Sequence, residues 1–91
     1  MRYEGLRAAL PPDAVIGYIS DLRPEDARST LLFLGAQYAL APRIVVDDDR
    51  HEWVLGNFSV PADFAALGAN RGLRLVRDFG NGVILYRRAQ S

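Results

Sequence analysis

The sequence predicts an α/β (α+β) fold: one small domain over residues 1–91, in the order α-β-α-β-β-α-β-β, with helices packed on a mixed sheet of about five strands. Three observations lead there. Segments with apolar residues at helical spacing alternate with short runs rich in β-branched residues. An Asn81-Gly82 pair stands between the last two apolar runs. A 49% hydrophobic content in 91 residues suffices for a single core without staples.

In RYEGLRAALPP, Tyr3, Leu6 and Leu10 share one helical face, and Pro11-Pro12 ends the pattern because proline cannot extend a helix. DAVIGYIS, Asp13 to Ser20, has large apolar residues on both faces, as a doubly covered strand does. The longest helix is expected over about Pro24 to Leu40, with Pro24, Glu25 and Asp26 in its first turn. Ala27, Leu31, Leu34 and Tyr38 then recur at helical spacing, and Ala41-Pro42 is the stop. RIVVD and EWVLGNF read as strands, and VPADFAALGANRG as a short helix between Pro61 and Gly72. LRLVRDF and VILYRR close the chain as a hairpin, since Asn-Gly suits a type I′ turn that needs positive φ twice.

Strand order rests on the shortness of DDRH between the second and third strands. A parallel crossover normally takes about a dozen residues or more. The expectation is therefore an antiparallel pair in a ferredoxin-like split βαβ arrangement. The runner-up is a Rossmann-like half sheet with the third strand parallel to the first.

With 11 basic and 11 acidic residues the formal charge is zero, which removes the electrostatic footprint of non-specific nucleic-acid binding and favours self-association. The absence of cysteine excludes disulfides and thiolate chemistry. No apolar run approaches the roughly 18 residues of a membrane span. MRYEGLRAAL lacks a signal-peptide type of stretch, so a soluble chain is expected. All basic residues are arginine, a bias expected of a GC-rich bacterial genome.

Asp47, Asp48, Asp49, His51 and Glu52 draw attention as a metal or acid-base cluster. Adjacent residues of an extended chain point apart, and neither EF-hand nor zinc spacing is present. A solvated turn, neutralised in part by Arg50 and Arg43, is the expectation; no metal, no cofactor and no catalytic residue is assigned. The ligand-binding candidates are Ser20, Asp21 and Arg23, where a strand's carboxyl end meets a helix N-terminus that offers N–H groups to an anion. The competing reading is that Ser20 or Asp21 serves the helix start itself. No Gly-rich phosphate loop occurs. The Asp78-Phe79-Gly80 and Asn57-Phe58-Ser59 tripeptides lack the context that kinase or glycosylation motifs need. Arg74, Arg77, Arg87 and Arg88 form a basic patch on the terminal hairpin, read as a solvated edge.

At LPPDAVIGYISD, QYALAPRIVV and GNGVILYRR the chain resembles the soluble extracytoplasmic domains of bacterial membrane glycosyltransferase-like (lipid-linked-sugar-dependent) proteins and uncharacterised membrane proteins related to them. The shared pattern comprises Tyr38, Leu40, Pro42 and Arg43, then Gly82, Val83, Leu85, Tyr86 and Arg87. The resemblance implies a periplasmic or extracytoplasmic location and a membrane-protein partner; without it the cytoplasm is the expectation. It transfers no catalytic role. The functional expectation is an accessory or interaction domain, not an enzyme by itself, with a small-ligand regulatory module as the alternative. Partners are a second copy or a membrane protein, and not nucleic acid. Exposure or burial of Tyr38, Trp53 and Tyr86 discriminates an interface from plain core.

Overall fold

The structure is a computed structural model that describes residues 4–22 and 25–89. Its elements are α1 (Glu4–Ala9), β1 (Val15–Ser20), α2 (Ala27–Leu40), β2 (Ile44–Val46), β3 (Trp53–Asn57), α3 (Phe64–Ala69), β4 (Leu73–Asp78) and β5 (Val83–Arg88). The order of helices and strands is the one the sequence predicts. The strands form one mixed sheet, β2-β1-β3-β5-β4.

The pairing of β2 and β3 differs from the ferredoxin-like expectation. They form no hairpin: both run parallel to β1, on opposite sides, so that Ile16 lies between Val45 and Trp53. For these three strands the runner-up arrangement is the one observed. β2 is only three residues long, and the chain turns back at once over β1. The Asp48 carbonyl accepts the Tyr18 N–H at 2.8 Å, and a Cβ at Gly17 would stand 2.4 Å from that oxygen. Glycine at 17 is what lets residues 47–52 pass so low over the strand, in about half the length a helical crossover takes.

β5 is antiparallel to both β3 and β4. The hairpin between β4 and β5 has the expected turn, with Asn81 at φ 56°, Gly82 at φ 79° and Val83 N–H donating to Gly80 O. A register shift between Leu75 and Arg77 breaks the expected alternation and leaves Val76 exposed. The Asp78 carboxylate accepts the Gly80 N–H at 2.8 Å, which gives this aspartate a turn-forming role.

The sheet is covered on both faces. On one, α1 and α2 bury Leu6, Leu10, Ala36 and Leu40 against Ile16, Tyr18, Val45, Leu55 and Leu85. Tyr3, expected on the same face of α1, lies outside the described residues. On the other, α3 and its approach pack on Ile19, Val54, Ile84 and Tyr86. The Tyr86 ring fits because Gly68 of α3 has no Cβ; one would stand 2.4 Å from the ring. Its hydroxyl donates to Phe64 O at 2.7 Å, and burial raises its pKa to about 12.

The long helix begins later than expected. Asp26 is its N-cap: its backbone is extended, its carboxylate accepts the Arg28 N–H at 2.9 Å, and helical residues start at Ala27. Pro24 lies outside the described residues. The end at Leu40 is as expected. Arg43 also departs from its expected role beside the aspartates. Its guanidinium donates to the carbonyls of Arg7, Leu10 and Pro11, where a cation satisfies the free acceptors at the end of α1.

Candidate functional site

Chemistry-bearing or apolar side chains come together outside the core at several places among the described residues. The first is the carboxyl end of β1, where the chain has gone to one side for β2 and to the other for β3. This is the position at which open α/β sheets collect ligands. A cleft of ≈ 330 Å³ opens there, bordered by Ser20, Ser29, Asp47, Asp48, Asp49 and Arg71.

Of the residues the sequence nominates, Ser20 borders the cleft, Asp21 follows it in the chain without lining the cleft, and Arg23 lies outside the described residues. Ser20 Oγ accepts the Leu22 N–H at 3.1 Å, a local turn bond. The Asp21 carboxylate accepts from Ser59 N–H, at 2.9 Å and 3.0 Å to its two oxygens, from the Ser59 hydroxyl and from Val60 N–H. Partial desolvation acts to raise its pKa, but the hydrogen bonds from Ser59 and Val60 outweigh it and hold the carboxyl below its ordinary value. Asp21 thus ties the exit of β1 to the exit of β3. The start of α2 is already served by an acid: Asp26 caps it and pairs with Arg28 at 2.9 Å.

The second place is the crossover loop, and its acids diverge. Asp48 accepts the Arg50 backbone N–H at 3.0 Å and faces His51 Nδ1 at 2.8 Å. These contacts lower its pKa, the Arg50 bond most. Asp49 turns to Arg71 at 3.1 Å, and Glu52 to Arg87 at 2.9 Å. Among the described residues no three His, Cys, Asp or Glu side chains converge on a point where a metal ion would sit. Arg71 is the cation the sequence reading lacks here. It is distant in the chain, and only the packing of α3 and the loop on one face brings it to Asp49. Asn57, of the glycosylation-like tripeptide, is buried in β3.

The third place is α2, whose outer face carries large apolar residues. Leu31 is 69% exposed, Leu34 52% and Tyr38 86%. They are spaced i, i+3, i+7, one above another on a single stripe. Gly35 lies beside them with nothing within 4 Å of where its Cβ would be. The sequence reading picks out this row as the helix's apolar periodicity. The sheet, however, takes the opposite row of Ala36, Ala39 and Leu40. From Ser29 to Pro42 there is no charged residue on any face. Of the discriminating aromatics, Tyr86 is core, Trp53 is partly buried under Arg87, and Tyr38 is exposed.

No family model matches the chain, and neither does any characterised protein or solved structure. No helix among the described residues is long and apolar enough to cross a membrane.

Proposed function

We propose that the chain is a non-catalytic interaction domain that pairs with a second copy of itself through the outer face of α2. The observation that carries this is the exposure of Leu31, Leu34 and Tyr38 in a helix without a charge between Ser29 and Pro42. Beyond its first turn α2 has Gln37 as its one strongly polar side chain, and a helix this apolar on its outer face belongs against another surface.

The area supports a second copy. At about 150–200 Å² for each large side chain, the exposed fractions sum to about 300–400 Å² per copy. With an apolar share of about 57%, such an interface covers roughly 550–700 Å² per partner, which clears the ~1,000 Å² in total expected of a specific interface. Zero formal charge removes long-range repulsion between copies. Crossed antiparallel about a two-fold axis between Leu34 and Gly35, the stripe sets Leu31 of one copy against Tyr38 of the other.

Pairing through the sheet edges is obstructed by contrast. The Gln37 side chain donates to the outward Val45 carbonyl of β2 at 3.1 Å, and β4 carries a register shift with exposed Arg74 and Arg77. The side chains that would have served chemistry have internal partners: Ser20 with Leu22, Asp21 with Ser59, Asp49 with Arg71 and Glu52 with Arg87.

Sedimentation velocity over a wide concentration range tests the proposal. The expected result is a reversible dimer that Leu34→Glu abolishes while leaving the circular dichroism spectrum intact. A wild-type chain that stays monomeric throughout overturns it. The cleft at the carboxyl end of β1 favours a second reading, a small-ligand module. A metabolite that raises Tm in the wild type but not in Arg23→Ala would support it, and a screen with no stabilising compound would remove it. The resemblance to extracytoplasmic domains adds the proposal that the domain works beside a membrane-embedded part, tested by whether the full reading frame encodes membrane helices.

A further inference from the structure

We infer that Arg74, Arg87 and Arg88, at the open end of the β4–β5 hairpin, form a binding site for the phosphoryl group of a small anionic ligand. The inference is independent of the α2 interface. The three arginines and Ala89 line a cleft of ≈ 340 Å³ with no acidic residue in its wall. Arg74 stands directly opposite Arg87 in the strand register, a like-charge pair that a neighbouring anion relieves.

Arg87 is held in place from two sides. Its Nε donates to Glu52 at 2.9 Å, and its guanidinium lies 5.0 Å from the Trp53 ring centre. An arginine fixed in this way loses little freedom on gripping an oxyanion. Arg88 follows Arg87 in β5 and lines the same cleft.

Charge selects the ligand class. Three guanidiniums less the Glu52 carboxylate leave a local charge of about +2, which matches the −1.5 to −2 of a phosphate monoester better than the single charge of a carboxylate. Arg77 does not line the cleft; it lies over the Phe79 ring at 4.9 Å. The sequence shows four arginines on the hairpin; the structure divides them, and three line one cleft.

The test is an NMR titration of the full chain with pyrophosphate, and separately with citrate, at matched ionic strength. Pyrophosphate is expected to shift the amide signals of Arg74, Arg87, Arg88 and Ala89 saturably. In Arg74→Gln, an exposed position, the dissociation constant should rise about tenfold or more while the unfolding midpoint does not fall. No saturable shift, or the same affinity in Arg74→Gln, overturns the site. Citrate binding as tightly as pyrophosphate overturns the assignment to a phosphoryl group.

Discussion

Both faces of α2 carry large apolar residues, although only one of them covers the sheet. The inner face presents Ala36, Ala39 and Leu40, with Phe33 packed beside them. The outer face presents Leu31, Leu34 and Tyr38. Small residues inside let the helix lie close to β1 and β2, where Phe33 meets Tyr18 edge-on at 5.1 Å. Large apolar residues outside add little to the monomer's stability, since their surface stays in water. The difference teaches that the fold draws on one row of the helix and leaves the other row free for the proposed interface, so that each can be changed without the other.

That separation can be broken or sharpened by measurement. The largest effect is expected on the inner row: Leu40→Ala, at a fully buried position, should cost about 2–5 kcal/mol in urea unfolding. Gly17→Ala comes next, because its methyl meets a backbone carbonyl that cannot swing aside. About 1–3 kcal/mol is expected, with the β2–β3 crossover pushed off β1.

A smaller effect belongs to Asp21. Asp21→Ala removes the acceptor that joins the exits of β1 and β3 and should cost about 1 kcal/mol near neutral pH. The folded-state pKa of Asp21 is depressed, so its contribution is full above the ordinary carboxylate value. It is lost as pH falls through the lowered value, because the unfolded chain takes up the proton first. Stability measured against pH should therefore fall less steeply on the acid side in Asp21→Ala than in the wild type. The smallest effect on unfolding of the monomer is expected on the outer row, where Leu31→Ala should change stability by less than about 0.5 kcal/mol yet weaken self-association.

The succession of elements is legible in the sequence because each has local signals. Asp26 and Asp63 cap helices, Pro42 follows one, and Asn81-Gly82 makes the hairpin turn. The strand order is not, because it depends on one non-local contact, Asp48 O over Gly17, that no spacing rule contains. A lone glycine inside an otherwise apolar strand is the signal that points to such a close approach. The facing of α2 is illegible from periodicity alone, since two apolar rows share the helix. The charge-free stretch from Ser29 to Pro42 is the signal in the sequence that the outer row is apolar as well. At the carboxyl end of β1, Ser20 borders a cleft, whereas Asp21 is turned to Ser59 and Val60 beyond β3, partners that are distant in the sequence.

The absence of cysteine allows the α2 pairing to be tested residue by residue with single-cysteine variants. Gly35→Cys lies at the proposed two-fold axis, where Cα atoms within about 7 Å can be joined by a disulfide. Ala62→Cys, exposed in the loop before α3, is the control. Under mild oxidation, at a concentration where the wild type sediments as a dimer, Gly35→Cys should convert rapidly to a covalent dimer and Ala62→Cys should not. Equal slow cross-linking of both variants would contradict the pairing of two copies through α2.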